Sequence, residues 1–429
     1  MDADRKPSAW TPRRALVAAL VLVVLAVAYL AVSAGPPPMD GHGRQLFGLW
    51  RTRHVVVALA LAWGSIALVV WSFGPRARAR FVALNVSFAG FWLLLEAVGL
   101  AGVVSYPKLL GGVAHEQLGT RPQPNVDVQG VAREDLATSW NLPREPIPFH
   151  FQTDHRGFRN AEDRDAADIY CLGDSFLVAG LVAQDAIVPA VLERDLRRPT
   201  MGVALVGLSP QAEAQLLLDT QVPFEGRLVL HFVFEGNDLL DSAAWRSGKK
   251  GEAPSWKERT LANQLVVRAQ LLTQPQPAYV ERRTGWIGDE AYRFGWLKNS
   301  FEGLEGELQP IADKLALLAG RVRSAGGEYA VVIVPDKLRV LGPSCRFPAD
   351  SEVADWKSHC GPIPEFLARW SATSGIPVLD LTEPLRAATR ADDVPWFPAD
   401  THWNATGHRV AAQAIAAWEP VQRFAQKAR

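Results

Sequence analysis

Residues 1–105 contain three long apolar runs, and a different pattern follows them. Ala15–Ala34 and Val55–Gly74 contain no charged residue, and Phe81–Ser105 is interrupted only by Asn85 and Glu96. A helix needs about 20 apolar residues to cross a bilayer, where its backbone must satisfy its own hydrogen bonds. The pattern therefore predicts a membrane anchor of three transmembrane helices. Three buried helices of a soluble protein are the less favoured alternative.

From residue 148 onward, short apolar runs alternate with stretches of helical spacing. Strands are predicted at 149–153 (an edge strand), 168–173, 202–207, 227–234, 329–335 and 377–381, and helices at 184–197, 211–219, 304–324, 364–374 and 405–425. Continuous apolar strands separated by helices are typical of a parallel sheet covered on both faces. The pattern predicts an α/β domain over residues 148–429 with an insertion at 241–299. Residues 106–147, rich in Gly, Pro and polar residues, are predicted to be a linker.

Positive residues predict the orientation of the membrane segments. They precede the first run and follow the second, at Arg5, Lys6, Arg13, Arg14, Arg76, Arg78 and Arg80. Such residues favour the cytoplasmic side, although Arg44, Arg51 and Arg53 between the first two runs make the bias modest. Three crossings would then place the large domain outside the cytoplasm, which predicts a multi-pass inner-membrane protein with its catalytic domain in the periplasm or outside. Val32–Ala34 could be a signal-peptidase site, but an uncleaved anchor is favoured, and cleavage would leave that sidedness unchanged.

Overall composition excludes several classes of protein. Lys+Arg and Asp+Glu number 45 each, so the zero formal net charge excludes a basic nucleic-acid-binding surface as the main feature. Three cysteines are too few for a disulfide scaffold or a Cys-rich metal site.

Cys345 and Cys360 are predicted to form a disulfide. It would close a loop of about 15 residues and stabilise the fold by roughly 3 kcal/mol. The alternative is that these two cysteines are free thiols. Cys171 is predicted to be an inert thiol in the core.

Polar triplets follow the predicted strands at what should be one edge of the sheet. Gly173-Asp174-Ser175 ends the first strand of the sheet, Gly236-Asn237-Asp238 follows the third, and Asp400-Thr401-His402 precedes the last helix. A serine at a strand-to-helix turn exposes its hydroxyl, an asparagine amide can bind an oxyanion, and a histidine beside a carboxylate is an oriented base. Each triplet alone is also an ordinary turn or cap sequence. Their convergence on one edge predicts an acyl-transfer site.

The three triplets together resemble the SGNH/GDSL hydrolase superfamily, and 153–159 is similar to the lead-in of its membrane-anchored bacterial members. The resemblance covers about residues 148–425. It implies a flavodoxin-like three-layer α/β/α sandwich in which Ser175 is the nucleophile, His402 the base and Asp400 the residue that orients it. It further implies an oxyanion hole formed by the Ser175 N–H and Asn237.

One departure from the superfamily concerns a glycine after the second strand, whose N–H helps to bind the oxyanion. If that glycine aligns with Pro210, the donor is absent because proline has no N–H. Gly207 could then take its place if the loop shifts. Asp400–Asn404 is also similar to polysaccharide O-acetyltransferases of the alginate type, and Val334–Lys337 is similar to a run in exopolysaccharide proteins. The order of the motifs, serine first and histidine last, follows the general SGNH pattern.

These features favour an extracytoplasmic esterase that acts on ester groups, chiefly O-acetyl, of a glycan or lipid-linked saccharide. One alternative is a polysaccharide O-acetyltransferase that works with a membrane acyl-donor partner. Another is a non-catalytic polysaccharide-binding scaffold. No cofactor, metal or nucleic-acid partner is predicted. The insertion contains aromatic residues that either form a sugar-binding lid or pack the insertion onto the sheet, namely Trp245, Trp256, Trp286, Tyr292 and Trp296.

Overall fold

The computed structural model describes residues 11–34, 46, 49–106, 123–140, 142–247, 256–257, 259–273, 277–295 and 303–427. The chain divides into two compact units. One consists of Met1–Gly112 with Pro254–Pro275, and the other of Val113–Ala253 with Gln276–Arg429. A short part of the predicted insertion therefore belongs to the same unit as the predicted membrane anchor.

Three long helices come first along the chain, and shorter helices and strands follow them. The first part contains α1 (Pro12–Ser33), α2 (Thr52–Ser72), α3 (Pro75–Leu100), β1 (Asp127–Ala132), α4 (Asp135–Ser139), β2 (Ile147–Gln152), β3 (Ile169–Gly173), α5 (Ser175–Val178), α6 (Val188–Leu196), β4 (Thr200–Ala204) and α7 (Pro210–Asp219). Then come β5 (Leu228–Phe234), α8 (Asp238–Arg246), α9 (Leu261–Thr273), α10 (Pro277–Arg282), β6 (Thr284–Ile287) and β7 (Glu290–Arg293). The last part contains α11 (Leu308–Ser324), β8 (Glu328–Val334), α12 (Lys337–Leu341), α13 (Ile363–Ser374), β9 (Val378–Asp380), α14 (Thr382–Arg390), α15 (Ala405–Ala417) and α16 (Glu419–Lys427).

Helices α1, α2 and α3 are long and apolar enough to cross a membrane. The first begins earlier than the apolar run because Thr11 caps it: the Thr11 hydroxyl accepts a hydrogen bond from the Arg14 N–H, and Pro12 occupies the first turn. The third begins at Pro75. The arginines that follow the second apolar run therefore lie in the first turns of α3.

Glu96, the ionisable residue within α3, binds the start of α9. Its two carboxylate oxygens accept hydrogen bonds from the N–H groups of Leu261 and Ala262, both at 2.9 Å. A Cβ on Gly99, one turn further along, would lie 2.6 Å from the Arg259 carbonyl oxygen, so only glycine allows this approach. A carboxylate at a helix N-terminus is favourable because the N–H groups there have no partner within the helix. Glu96 thus has a structural partner within its own unit.

Among the described residues of the other unit, a parallel sheet has the strand order β4–β3–β5–β8–β9. Strands β3, β4 and β5 are buried at every position, which explains their continuous apolar sequence. Ile169 and Cys171 of β3 face a core that includes α6 and α15, while Tyr170 and Leu172 face a core that includes α7 and α11. Helices therefore cover both faces, and the predicted α/β three-layer arrangement is confirmed.

Several boundaries differ from the prediction. Strand β4 ends at Ala204 rather than at Gly207, which has a φ of +70° and lies in the following loop. The last predicted helix is two helices, because Trp418 is extended and Pro420 follows it. The predicted linker contains β1 and α4, and β1 pairs antiparallel with β2.

Candidate active site

Ser175 begins α5 directly after the buried strand β3. The Asp174 side chain caps this helix by accepting a hydrogen bond from the Phe176 N–H at 3.0 Å. A Cβ on Gly173 would lie 3.0 Å from the Leu177 side chain and 3.1 Å from that of Phe232, so the turn is tight. The turn places the Ser175 hydroxyl at the carboxyl edge of the sheet, where open parallel sheets bind ligands.

His402 lies in the loop before α15 and is held there by its neighbours. The Asn404 side chain caps α15 by accepting a hydrogen bond from the Gly407 N–H at 3.1 Å, and its amide donates to the Val394 carbonyl at 2.8 Å. A Cβ on Gly407 would lie 2.4 Å from the Pro395 carbonyl oxygen, so this close packing also requires glycine. The cap and the tight contact fix the loop that carries the imidazole.

Asp400, His402 and Ser175 form a continuous chain of hydrogen bonds, which we call the Ser175 relay. Asp400 Oδ1 lies 2.7 Å from His402 Nδ1 and also accepts the His402 backbone N–H at 2.8 Å. His402 Nε2 lies 2.9 Å from Ser175 Oγ, although the two residues are 227 positions apart in the chain. The imidazole keeps 28% of its side chain exposed. This geometry suits removal of the serine proton by an oriented base.

The carboxylates around His402 govern its charge. Burial lowers the pKa of His402, but the hydrogen bond and charge of Asp400 and the charges of Asp135 and Asp174 outweigh burial and raise it to about 9. Burial likewise raises the pKa of Asp400, and the hydrogen bond and charge of His402 more than offset that effect, so it ends below its usual value. The ring is therefore most stable as an imidazolium, the form that a base reaches when it has accepted a proton.

Asn237 is the N-cap residue of α8, after β5. Its side-chain amide donates a hydrogen bond to Asp241 Oδ2 at 2.9 Å, and its Oδ1 is buried without a hydrogen-bond partner. The bond to Asp241 uses one of the two amide hydrogens and fixes the orientation of the side chain. The second hydrogen is the one that would bind an oxyanion.

Gly207 and Pro210 both lie after β4, but in different settings. Pro210 is the buried first residue of α7, whose cap is the Ser209 hydroxyl, which accepts the Ala212 N–H at 3.3 Å. A proline at this position loses no helix hydrogen bond. Gly207 lies in the preceding loop, and no hydrogen bond within the described residues joins it to Ser175 or Asn237. Its place in an oxyanion hole stays a prediction.

Two residues that sequence reasoning did not single out individually hold the loop of the relay. The Asp135 N–H donates to Asp400 Oδ2 at 2.8 Å, and Asp135 Oδ2 lies 3.8 Å from His402 Nδ1. Lys337, 3% exposed, donates from Nζ to the Asp400 carbonyl at 3.0 Å and also contacts two carbonyls just before it. Asp135 falls in the predicted linker, where no pattern marks it. The only signal for Lys337 was the resemblance of Val334–Lys337 to exopolysaccharide proteins.

Within the part of the chain that the structure describes, Asp135, Asp400 and His402 bring their ligand-type atoms within 4.8 Å of one another, the spacing that a metal ion would need. Both carboxylates already accept backbone N–H groups, and Nδ1 of the ring faces Asp400. These residues therefore form a hydrogen-bonded cluster. The expectation that the protein needs no cofactor stays a prediction.

The predicted disulfide is absent, because Cys345 and Cys360 are both free thiols. Cys360 Sγ donates to the Trp356 carbonyl at 3.3 Å. Cys345 packs instead on β6, where a Cβ on Gly285 would lie 2.9 Å from its Sγ. The two thiols thus have different partners, and burial raises the pKa of each to about 12.

The aromatic residues of the insertion do not share one environment. Trp245 and Trp286 are 41% and 36% exposed, whereas Tyr292 is buried. Trp256 is 67% exposed and belongs to the unit that contains the apolar helices. Trp296 lies outside the described residues. A sugar-binding lid over the site stays a prediction.

Comparison with known proteins bears on the second unit. Residues 295–428 match the family described as "SGNH hydrolase-like domain, acetyltransferase AlgX". This match includes Asp400 and His402 and leaves out Ser175 and Asn237. No curated protein matches the chain.

Solved structures of esterases are similar at a low level. The acetyl xylan esterase AlAXEase is 10% identical with a TM-score of 0.32, over 58% of this chain and 96% of that one. The psychrotrophic esterase EstA from Pseudoalteromonas sp. is 10% identical with a TM-score of 0.30, over 61% of this chain and all (100%) of that one. Likeness at this level carries no conclusion about activity. The family match and the parallel sheet support an SGNH-like fold for the second unit, in which residues 295–428 are similar to the AlgX acetyltransferase family.

Proposed function

We propose that the chain is a membrane-anchored serine esterase that removes ester-linked acyl groups, chiefly O-acetyl, from a glycan or a lipid-linked saccharide. The observation that carries the proposal is the distance of 2.9 Å between His402 Nε2 and Ser175 Oγ, with Asp400 at the other ring nitrogen. A hydroxyl, an imidazole and a carboxylate in this order are the groups that serine esterases need.

In the first half of the reaction, Ser175 Oγ attacks the ester carbonyl while its proton passes to His402 Nε2. The negative charge that develops on the carbonyl oxygen is stabilised by the Ser175 N–H and the Asn237 amide, as preorganised donors do in such sites. The imidazolium then gives its proton to the leaving sugar oxygen. The products are the free hydroxyl and an acyl-serine.

In the second half, His402 accepts a proton from water as the water oxygen attacks the acyl-serine. The tetrahedral intermediate collapses, the proton returns to Ser175 Oγ, and the carboxylic acid leaves. Asp400 keeps the same ring nitrogen hydrogen-bonded throughout, so the imidazole always presents Nε2 to the reacting atoms. This cycle consumes one water per ester and requires no cofactor.

The proposed location follows from the positive residues at the ends of the apolar helices. Arg13 and Arg14 lie in the first turn of α1, and Arg76 lies in the first turn of α3. Positive charges of this kind favour the cytoplasmic side of the inner membrane. With three crossings, the unit that contains the Ser175 relay would then be periplasmic.

A polysaccharide O-acetyltransferase is the second candidate, and the match of residues 295–428 to the AlgX acetyltransferase family favours it. The same acyl-serine would form, and a sugar hydroxyl would replace water in the second half. This reaction needs an acyl donor on the periplasmic side, which a membrane partner would present. The relay itself is compatible with both acceptors.

The first experiment asks whether the relay is catalytic at all. The full chain in detergent is assayed for acetyl release from p-nitrophenyl acetate beside Ser175→Ala and the distant control Ser358→Ala. We expect Ser175→Ala to abolish release and Ser358→Ala to retain it. Equal rates for wild type and Ser175→Ala would contradict the proposal and favour the non-catalytic scaffold.

The second experiment separates the esterase from the transferase. A candidate oligosaccharide is added with the same acetyl donor, and mass spectrometry follows the acetyl group. For an esterase we expect free acetate and an unmodified sugar, and also acetate release from an O-acetylated glycan. Acetylated oligosaccharide that disappears with Ser175→Ala would assign the chain to the transferases.

A further inference from the structure

The loop that carries Asp400 and His402 is bound by a segment from far away in the chain. The N–H groups of Leu136 and Ala137 donate to the Ala399 carbonyl at 3.0 and 3.1 Å, and the Ala399 N–H donates to Glu134 Oε1 at 2.8 Å. Asp135, between them, accepts the Thr401 N–H at 2.9 Å and the Thr401 hydroxyl. Residues 134–137 therefore hold the loop on both sides of Asp400.

Asp135 differs from its neighbours in this segment because it also faces the imidazole. Its Oδ2 lies 3.8 Å from His402 Nδ1, while its own N–H donates to Asp400 Oδ2 at 2.8 Å. Glu134 instead uses one carboxylate oxygen for the Ala399 N–H and places the other 2.8 Å from Arg144 Nε. One residue thus fixes the first carboxylate of the relay and brings a second carboxylate to the same ring.

We propose that Asp135 is a positioning residue of the Ser175 relay: it holds Asp400 in place and shares with Asp400 the stabilisation of the imidazolium that forms when Ser175 loses its proton. This inference rests on the proposed function. To the proposed function, the inference adds a second carboxylate, which acts on the substrate only through His402.

Charges around the ring come from several elements. Asp400 lies on the same loop, Asp135 on α4 and Asp174 in the turn before α5, and all three favour the imidazolium. Lys337 from α12 binds the Asp400 carbonyl, and burial lowers its pKa to about 8, so its charge is lost within the pH range of the test in wild type and variants alike. His408 of α15 is a neutral group, because burial lowers its pKa to about 3. Of the three acidic side chains, Asp135 is the most exposed to solvent, at 38%. Asparagine has nearly the same size, and solvent can reach its amide, so Asp135→Asn removes the charge with little other change.

The test uses the full chain in detergent with Asp135→Asn, Asp135→Glu and the control Glu134→Gln. Glu134 belongs to the same backbone contacts but does not face the ring. The readout is the rate at which a fluorophosphonate labels Ser175, followed by mass spectrometry from pH 5 to 10. Labelling needs the Ser175 proton to move to His402 and fluoride to leave, and it requires neither a natural substrate nor turnover.

For Asp135→Asn we expect the midpoint of the labelling profile to move down by about one pH unit, the low end of what a charge at this distance does. The limiting rate at high pH should fall by up to about tenfold, the equivalent of that shift. Below the midpoint the two effects cancel, so variant and wild type should label at nearly equal rates. Asp135→Glu, which keeps the charge, should keep a midpoint closer to that of wild type.

A merely structural role would give a different result. Loss of backbone support lowers the rate by the same factor at every pH, and that is the pattern expected for Glu134→Gln. An unchanged midpoint in Asp135→Asn would therefore overturn the inference even if the rate fell, while Ser175 labelling in wild type would leave the proposed function intact. Failure of Ser175 to label in wild type would overturn both.

Discussion

Among the described residues of the second unit, two chains of carboxylate, imidazole and hydroxyl are present, one at the edge of the sheet and one within the core. In the Ser175 relay, His402 lies 2.7 Å from Asp400 and 2.9 Å from Ser175. Within the core, His231 lies 2.8 Å from Glu213 Oε2 and 2.7 Å from the Tyr329 hydroxyl. By distance and group type alone, the two sets are nearly equivalent.

Their surroundings are opposite. His231 lies in the middle of β5 with no exposed surface, and burial lowers its pKa to about 3. His402 lies in a loop at the edge of the sheet, where carboxylates raise its pKa to about 9. A ring whose pKa is held this low by burial is a weak proton acceptor, however well its partners are placed. The two sets therefore differ in solvent access and in the number of nearby carboxylates rather than in their hydrogen-bond pattern.

The largest expected effect comes from removing the two hydroxyls in turn. Ser175→Ala should lower acetyl release from p-nitrophenyl acetate by about 10⁴- to 10⁶-fold, as loss of a serine nucleophile does. Tyr329→Phe should leave release close to wild type, because its hydroxyl faces only the core. A large loss of activity in Tyr329→Phe without a change in folding would contradict the contrast between the two sets.

The carboxylates extend the same comparison. Asp400→Asn should lower the rate by about 10⁴-fold, because the amide no longer stabilises the imidazolium or holds the ring with the same nitrogen protonated. Glu213→Gln should change stability rather than rate. Steady-state rates of both variants, corrected for the folded fraction by circular dichroism, make the check. Similar rates for the two variants would show that His402 does not depend on Asp400.

The pH dependence follows from the raised pKa of His402. A base must be neutral to accept a proton, so the rate should rise about tenfold per pH unit below the pKa and level off near pH 9. The contribution of His402 to the free energy of unfolding changes in the opposite direction. It is fully present below the ordinary histidine pKa and is lost as the pH rises through about 9. A rate profile corrected for the background of Ser175→Ala tests the first statement, and a rate that falls between pH 7 and 9 would contradict it.

The smallest expected effect concerns stability in the core. Tyr329→Phe leaves one ring nitrogen of His231 without its buried partner, which should cost about 1–3 kcal/mol in the free energy of unfolding. Denaturant unfolding of the full chain in detergent provides the measurement, with Ser175→Ala as the control in the Ser175 relay. Equal stability of the two variants would mean that the internal set contributes little to folding.

Much of the fold could be predicted because its signals are local. The apolar runs before residue 105 correspond to α1, α2 and α3, and the buried strands β3, β5 and β8 begin and end within a residue of their predicted bounds. Ser175, Asn237 and His402 could be proposed from the sequence because each follows a predicted strand or precedes a predicted helix. Strand β4 begins two residues and ends three residues before its predicted bounds, because Gly202 and Gly207 do not mark where pairing starts and stops.

The free thiols and the second carboxylate could not be predicted in this way. Cys345 and Cys360 are close in sequence, but Cys345 packs on Gly285 of β6 and Cys360 binds the Trp356 carbonyl four residues before it. Asp135 approaches Asp400 from 265 positions away, out of a segment with no helical or strand period. The sequence around Asp135 and around Asp400 contains no pattern that predicts this contact.

The sequence by itself determined the three apolar helices, the α/β alternation and the residues proposed to carry acyl-transfer chemistry. Tertiary structure alone decided that Asp135 reaches His402, that Lys337 binds the loop, that the cysteines stay apart and that His231 is sealed in the core. The physical reason is that helices and strands follow from the spacing of apolar residues along the chain. The charge of an imidazole depends instead on every group within a few ångströms, whichever part of the chain supplies it.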